Sequence, residues 1–422
     1  MTTTPNANSK NKLSLTTQIF IAMIGGAVFG LMIKWFAGDS VFTTFIVDGV
    51  INSGGVIFVN LIKMLVVPLV LVSLICGICS LENIKTIGSI GIKAITFFIL
   101  TTAFAITLAI LVTGVLDIGH GVQFPTLVPI KTTDIPTLQQ FLVNIFPSNP
   151  FQALTDGNIL QIIVFAILIG VAINLAGDPG KRIAAIMHDF NAIIMRAIML
   201  IMKITPYGVF CLLAFLFAKI GFSLILQLLN YFLTVILVLL IHTLVVYPLM
   251  LKVFAKLPAK QFFKKFHNVM MFAFSVSSSN ATLPLAIETT ERKLGVDKSV
   301  TSFVLSLGIN MNKNGTAIMQ GVAAIFIANA YNIDLGIVGK LMVVLTATLA
   351  SISTAGAPSI GILSLAMVLK QVGVPIEGIA VILSIDRLLD MMRTSVNVAG
   401  NAVIACIIGK QEKKMDIVTY YN

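Results

Sequence analysis

The sequence predicts an all-α membrane protein with several transmembrane helices, and three observations support this. The chain has 422 residues, of which 57% are hydrophobic and only 11% are charged, whereas soluble domains carry about 25% charged residues. Its mean hydropathy is +1.01. Apolar segments of about 20 residues or more recur along it, as helices that cross a bilayer require. The last apolar segment carries a line of polar side chains on one helical face, which a simple lipid-facing span does not tolerate.

The first half of the chain predicts a short tail followed by long apolar spans. Residues 1–14 are polar, and we expect them to be disordered. The first apolar segment stays as a span, because it is too long for a signal-peptide core and has no clear cleavage site. The six long apolar segments cover residues 15–37, 43–79, 86–116, 152–177, 183–221 and 223–255.

Four prolines interrupt the apolar pattern between the third and fourth segments and predict an extramembrane excursion there. They are Pro125, Pro129, Pro136 and Pro147.

The net charge of +11 and the four cysteines exclude some classes of function. Lys and Arg cluster between apolar runs, which indicates cytoplasmic loops and not a nucleic-acid partner. Cys76 and Cys79 form a C-x-x-C pair in an apolar run without a second pair or nearby histidines. We therefore expect packed thiols, with no metal and no cofactor. These features favour a multi-pass protein of the cytoplasmic (inner) membrane of a prokaryote.

Two short-armed hairpins follow Lys256. The first, at residues 257–295, has a polar tip rich in serine; the second, at residues 337–373, has a tip that runs from Ser351 to Gly361. Each arm is too short to cross a bilayer, so we expect re-entrant hairpins whose tips are covered by protein or line a cavity.

A span interrupted by polar residues follows each hairpin. Val300–Ala330 is broken by Asn312-Lys313-Asn314-Gly315-Thr316, and the last apolar helix, Ile379–Ile408, carries the polar line. This repeated plan is typical of secondary transporters whose site lies near the bilayer midplane. The Asn-Lys-Asn-Gly-Thr run forms helix poorly, so we expect it to unwind and expose carbonyls.

Five polar residues lie within an arc of roughly 80° on one face of the last helix. They are Asp386, Asp390, Arg393, Asn397 and Asn401. A structural ion pair between helices is the alternative, but several such residues in register favour a binding or relay site. The Arg393 fork suits a carboxylate, and Asp390 one turn away suits an ammonium.

Two further titratable residues interrupt apolar runs. Lys313 must reach toward water, lose its proton or pair with an acid, and we favour a pair with Asp386 or Asp390. His242 is a candidate for proton relay, although a hydrogen-bonded core histidine is the preferred interpretation.

Three motifs in this order and spacing resemble those of the dicarboxylate/amino acid:cation symporter family, in its prokaryotic glutamate/aspartate transporter form. They read Ser-Ser-Ser-Asn-Ala-Thr-Leu-Pro at 277–284, Ser-Thr-Ala-Gly-Ala-Pro at 353–358 and Asp-Met-Met-Arg-Thr-Ser-Val-Asn-Val at 390–398. The resemblance implies the glutamate-transporter-like elevator fold, with eight transmembrane helices, two re-entrant hairpins and a homotrimer. The second hairpin is expected to act as the gate.

The resemblance also implies a division of the chain into two domains flanked by tails. The scaffold and trimerisation domain (spans 1, 2, 4 and 5) would cover residues 15–79 and 117–222. The transport domain (spans 3, 6, 7 and 8 with both hairpins) would cover 80–116 and 223–412. Residues 1–14 and 413–422 would be the tails.

The substrate pocket that the resemblance implies is intact in this sequence. Arg393 would bind the side-chain carboxylate of an acidic amino acid and Asp390 its amino group, which favours an amino acid over a plain dicarboxylate. The remaining pocket residues would be Thr394, Asn397, Thr316, Ser277, Ser279, Ala357 and Gly361.

The cation sites that the resemblance implies are altered. The sodium-binding aspartates of the family stand here as Asn314 and Asn401, a methionine as Lys313, and a tyrosine of the third span as Phe98, while Gln320 replaces the acid that carries the proton in animal relatives. The other residues assigned to these sites are Asn312, Gly308, Asn310, Thr101, Thr102, Ser351 and Thr354. At an effective dielectric of about 20, a unit charge about 4 Å from an ion interacts with it by about 4 kcal/mol. Loss of the two aspartates and gain of Lys313 should therefore remove most of the favourable binding energy of sodium.

The sequence therefore predicts a secondary active transporter of aspartate or glutamate that is sodium-independent or proton-coupled. Lys313 would act as a tethered cation, and Asp386, Asp390, Lys313 and His242 are the candidate proton groups. Its partners would be the acidic amino acid, protons as a coupling ion, membrane lipid and two further copies of the chain. The alternatives are a conventional sodium-coupled symporter, a carrier of neutral amino acids or dicarboxylates, and a passive uniporter or anion channel. An enzyme is not expected, since no nucleophile–base pair is visible.

Overall fold

The structure is a computed structural model that describes residues 15–36, 44–79, 88–120, 143, 146–219, 223–353, 360–383 and 385–422. In these ranges the chain is helical, and its one extended contact is a single bridge between Val296 and Met415. The predicted all-α class is confirmed. The predicted N-terminal tail, three of the four prolines (Pro125, Pro129, Pro136) and the site candidates Thr354 and Ala357 lie outside the described residues.

In the described residues of the first half of the chain, seven helices lie along the predicted apolar segments. They are α1 (Leu15–Phe36), α2 (Asn52–Cys79), α3 (Ser89–Leu116), α4 (Pro150–Asp156), α5 (Ile159–Leu175), α6 (Asp178–Lys219) and α7 (Ser223–Ile241). A π-helical stretch, Thr44–Ile51, leads into α2. Beyond α7 the helical path continues through π-helical turns on both sides of Tyr247–Met250 and ends at Ala255.

Helices α1 and α2 each pack along α6 through small residues. A Cβ atom on Gly26 would lie 2.6 Å from the Phe210 carbonyl oxygen, and one on Gly30 would lie 2.5 Å from that of Ala214. Glycine is therefore required for α1 to approach α6 this closely, as in many helix pairs within membranes.

Beyond Ala255, the described residues form nine further α-helices. They are α8 (Ala259–Val276), α9 (Ser279–Arg292), α10 (Lys298–Met311), α11 (Asn314–Ala330), α12 (Gly336–Ser353), α13 (Ile360–Gln371), α14 (Ile379–Leu383), α15 (Asp386–Gln411) and α16 (Ile417–Tyr421).

Both predicted hairpins correspond to pairs of helices whose arms pack against each other, α8 with α9 and α12 with α13. Ser277 and Ser278 alone separate the first pair. Ser277 has a φ of 53°, and the Ser278 hydroxyl caps α9 by accepting from the Ala281 N–H at 3.3 Å. The tip of the second pair, residues 354–359, lies outside the described residues. Re-entry of either hairpin into a bilayer stays a prediction.

The enclosed centre of the molecule is formed by α11 and α15. Of the five helices in the described residues that are long and apolar enough to cross a membrane, the span Asp386–Gln411 is 83% buried, whereas Thr17–Phe36 is 18% buried. Four shorter apolar helices accompany them, and the count of eight spans stays a prediction. A helix with polar residues on one face needs such enclosure, because lipid cannot solvate them.

The C-terminal tail packs against the base of the first hairpin. Tyr420 is buried and donates a hydrogen bond to the Pro258 carbonyl at 3.1 Å. Lys265 bonds the carbonyls of Thr419 and Lys293, at 2.5 and 3.0 Å. Nearby, a hydrogen bond from Lys93 and a weaker contribution from that of Ser89 hold the pKa of the Glu412 carboxyl below its usual range. The end of the chain thus ties α8, α9 and α3 together.

Candidate functional site

The site lies where the break between α10 and α11 meets the first four turns of α15. The chain leaves helical geometry only at Asn312 and Lys313, so the predicted unwinding is shorter than the Asn-Lys-Asn-Gly-Thr run. The new helix starts close to α15, because a Cβ atom on Gly315 would lie 2.6 Å from the Arg393 carbonyl oxygen. The Gly315 N–H donates to Asn397 Oδ1 at 2.8 Å.

The first turns of α15 carry ion pairs; we call this the ionic half of the site. Arg393 Nη2 donates to Asp390 Oδ1 at 2.8 Å, and Arg393 Nη1 lies 2.8 Å from Asp386 Oδ1. The second contact is close but not aligned as a hydrogen bond. All three side chains are buried, and Arg393 is only 1% exposed. The two carboxylates supply the counter-charge that a buried guanidinium needs.

Arg393 keeps unused donors. Its Nε and Nη1 atoms make no hydrogen bond to any of the described residues. A buried donor without an acceptor is costly, so these groups are suited to an incoming acceptor. Gly361, at the start of α13, lies beside them: a Cβ atom there would be 3.5 Å from Arg393 Nη1 and 2.9 Å from Thr316 Cγ2. The second hairpin thus closes over the guanidinium.

Arg387 belongs to this half as well, although the polar line in the sequence did not include it. Its Nη1 lies 3.4 Å from Asp390 Oδ2, so the two carboxylate oxygens of Asp390 face different arginines. The signal was present, since Arg387 and Asp390 are three residues apart and therefore neighbours on a helix.

The remaining polar side chains form a closed network of neutral groups, which we call the amide half. Asn312 Nδ2 donates to Asn401 Oδ1 at 2.8 Å, and Thr101 donates to Asn312 Oδ1 at 3.3 Å. Thr102 donates to Asn314 Oδ1 at 2.9 Å. The amide oxygens at these three asparagines therefore already accept hydrogen bonds from protein donors.

Tyr247 completes the amide half from the helical path that follows α7. Asn314 Nδ2 donates to its hydroxyl at 3.3 Å, and that hydroxyl donates to the Val396 carbonyl at 3.0 Å. His242 stacks edge-on against Tyr247, with ring centroids 4.8 Å apart. It is fully buried, and neither ring nitrogen has a hydrogen-bond partner among the described residues. His242 thus lies in the interior, as expected of a core histidine, without a hydrogen bond to its ring from the described residues.

Lys313 lies between the two halves. Its side chain is 4% exposed, and Asp390 is the acid that acts on it electrostatically. The described residues give its ammonium no ion pair within 4.0 Å, since both nearby carboxylates contact arginines instead. Its pairing with an acid stays a prediction.

Some predicted residues join the site and others do not. Asn397 donates to Thr316 at 3.3 Å, and Thr394 donates to the carbonyl of Asp390 at 2.8 Å. Gly308 touches the amide half, since a Cβ atom there would lie 2.6 Å from Asn401 Oδ1. Asn310 is not brought in: its side chain is exposed and bonds Ser306 of its own helix.

The other predicted residues are buried. Ser277 is at the first hairpin tip, with a hydroxyl that has no partner among the described residues. Ser279 opens α9, Ser351 donates to the Thr348 carbonyl at 2.7 Å, and Phe98 is fully enclosed on α3. Gln320 donates to Ser364 at 2.5 Å and to the Gly361 carbonyl at 3.4 Å, on the second hairpin.

Comparison with known proteins places this arrangement among transporters. Residues 15–411 match the profile of the sodium:dicarboxylate symporter family. A proton/glutamate-aspartate symporter of Escherichia coli is 33% identical over 420 residues, which cover 96% of this chain and 94% of that protein. A proton/sodium-glutamate symport protein of Bacillus subtilis is 32% identical, with 95% and 93% covered. A C4-dicarboxylate transport protein of Rhodospirillum rubrum is 30% identical, with 95% and 89% covered.

Proposed function

The chain belongs to the sodium:dicarboxylate symporter family, and on this premise we propose that it transports aspartate or glutamate without sodium. Its family and relatives are transport proteins and not enzymes. The described helices agree with a multi-pass membrane protein, and bacterial relatives favour the inner membrane of a prokaryote.

The ionic half supports an acidic amino acid as the substrate. The Nε and Nη1 groups of Arg393, which make no hydrogen bond to the described residues, would donate to a side-chain carboxylate, and Asp390 offers an anion to the amino group. Thr394, Asn397, Thr316, Ser277, Ser279 and Gly361 would complete the pocket, with Ala357. The relatives from E. coli and B. subtilis carry glutamate in their names.

The closed amide network is the observation that carries sodium independence. A sodium ion needs oxygen ligands with free lone pairs, preferably anionic ones. Here Asn312, Asn314 and Asn401 bring no charge, and an Asn312 donor already occupies the Asn401 oxygen. A cation would have to break hydrogen bonds in a buried region to bind, with little charge gained in return.

Lys313 would supply the positive charge that sodium supplies in the family's usual pattern. Its ammonium lies in the field of Asp390, at the start of the helix that bears Thr316. Driving force would then come from protons or from the substrate gradient, and Asp386, Asp390, Lys313 and His242 are the groups that could carry a proton.

Transport would follow an elevator mechanism in a homotrimer. The packing of α1 and α2 on α6 supports a scaffold, and the packing of α8, α10 and α11 around α15 supports a separate transport domain. Residues 15–79 and 117–222 would form the scaffold, and residues 80–116 and 223–412 the transport domain. Helix α16 packs on this second unit, so the tail would move with it.

The test is calorimetric binding of aspartate to the purified protein, with sodium or with choline as the cation, across pH. We expect the same affinity in both salts. Uptake into proteoliposomes driven by a proton gradient would then identify the coupling ion. Binding that requires sodium would contradict the proposed sodium independence. Absence of aspartate binding in either salt would contradict the assignment of aspartate as a substrate.

A further inference from the structure

Four charged side chains lie within the first eight residues of α15, and they are balanced in pairs. Asp386 contacts Arg393, and Asp390 contacts both Arg393 and Arg387. Arg387 and Asp390 are largely buried, with side chains 15% and 9% exposed. The cluster holds two carboxylates and two guanidinium groups, so its net charge is zero.

Arg387 changes how strongly Asp390 favours a ligand that carries an ammonium group. A buried carboxylate without a cation is strongly destabilising, so an acid that waits for a substrate ammonium needs a resident cation when the site is empty. Arg393 cannot serve alone, since it is shared between two acids and must also accept the substrate carboxylate. Arg387 Nη1 lies 3.4 Å from the second oxygen of Asp390, Oδ2, and supplies that cation in contact, whereas Lys313 acts on Asp390 without an ion pair within 4.0 Å among the described residues.

We propose that Arg387 determines specificity: it neutralises Asp390 and thereby reduces the advantage of a substrate amino group. The inference rests on the proposed function and concerns how strictly that site requires an amine. A ligand with an ammonium must compete with Arg387 for Asp390. A dicarboxylate without an amine leaves the Asp390–Arg387 pair in place, and Asp390 does not become an unpaired charge.

The experiment compares aspartate with succinate, which has the same two carboxylates and no amine. Calorimetric titration of the full-length protein in detergent gives the ratio of the two affinities. We expect both ligands to bind the unmodified protein. In Arg387→Gln the ratio should move toward aspartate by about tenfold or more, as measured couplings between close charge pairs suggest. Arg387→Lys, which keeps the charge, should restore most of the original ratio.

A double-mutant cycle separates specificity from a structural effect. Asp390→Asn removes the partner of both Arg387 and the ammonium, so Arg387→Gln should no longer change the ratio in that background. A ratio that changes equally in both backgrounds would overturn the proposal.

Two further outcomes also decide it, and they are independent of whether the Gln variant folds. If the unmodified protein binds aspartate but not succinate, Arg387 does not relax the requirement for an amine and the proposal fails while the proposed function stands. If it binds succinate but not aspartate, or neither, the proposed function itself fails. Thermal melting of each variant shows whether a lost signal reflects lost fold.

Discussion

The ionic and amide halves of the site draw on successive turns of the same helix, α15, yet only one of them is charged. Asp386, Arg387, Asp390 and Arg393 form ion pairs of 2.8 to 3.4 Å. One to two turns later, Asn397 and Asn401 join neutral partners at 2.8 to 3.3 Å. Solvent does not explain the contrast, because both halves are buried.

The difference shows two ways to keep polar groups inside a membrane protein. A buried charge must have a counter-charge, which the ionic half provides from its own helix and, we propose, from the substrate. A buried amide needs only hydrogen bonds. The amide half forms them between α3, the helical path that follows α7, the start of α11, and α15. The first arrangement can exchange partners with an ionic ligand, whereas in the second, within the described residues, a ligand would compete with protein donors for the amide oxygens.

The largest effect is expected from Arg393→Ala, which breaks the ionic half. It leaves two buried carboxylates with Arg387 as their near cation, and loss of one member of a buried pair costs roughly 3–5 kcal/mol. We expect aspartate binding to be lost and the melting temperature to fall. Calorimetry and thermal melting on the same preparation measure the two effects.

Serine, which lacks the second carboxylate, is the control ligand for this variant. Aspartate binding that is lost while serine binding is kept or gained would assign Arg393 to the side-chain carboxylate. Unchanged aspartate binding would refute that assignment.

A second variant converts the amide half back to charge. The combined change Lys313→Met, Asn314→Asp and Asn401→Asp removes one positive charge and adds two negative ones. We expect sodium to raise aspartate affinity in this variant by about 1–3 kcal/mol, the usual range for coupled sites. Titration in sodium and in choline measures the coupling.

Asn310→Asp is the matched control, because Asn310 is exposed on α10 and lies outside the network. It should add a charge without sodium dependence. Equal sodium responses in the triple variant and the unmodified protein would contradict the claim that these residues decide cation binding.

Much of the fold was predictable from the sequence, because apolar runs of spanning length and short-armed hairpins have clear local signals. The arms of the first hairpin, α8 and α9, end within a few residues of the expected positions. Helix α16 was not predicted, since its five residues carry no periodicity. Tyr420 is buried there, and its hydroxyl bonds Pro258, which is 162 residues away.

The site was predictable as a list of polar residues on α15 and α11 but not as a set of pairs. Helical spacing placed Arg393 beside Asp390, a local contact. The hydrogen bond that Thr102 donates to Asn314 and the one that Asn314 donates to Tyr247 join segments far apart in sequence, so they depend on tertiary packing. Asn310 was assigned to the cation sites from the resemblance, but its side chain faces away from the amide half. A helix turns about 100° per residue, and Asn310 is two residues from Asn312.

A smaller effect is expected from Asn401→Ala, which opens the amide half without adding charge. It leaves Asn312 Nδ2 without its acceptor, and an unsatisfied buried donor costs about 1–3 kcal/mol. Denaturant titration in detergent micelles should show this loss, whereas Asn310→Ala, at an exposed asparagine, should cost less than about 0.5 kcal/mol. Equal losses in the two variants would mean that the network does not stabilise the fold.

The smallest effect is expected from Tyr247→Phe, which keeps the ring and removes one hydroxyl. That hydroxyl donates to the Val396 carbonyl and accepts from Asn314, and a hydrogen bond of this kind contributes about 1 kcal/mol. The ionic half shares no atom with it, so we expect aspartate affinity to stay within about twofold while unfolding becomes easier by about that amount. The Tyr247 hydroxyl would then contribute to stability without contributing to ligand affinity. A tenfold loss of aspartate affinity in Tyr247→Phe would show instead that the amide half positions Arg393 through Val396 and Asn397, and the contrast between the halves would no longer hold.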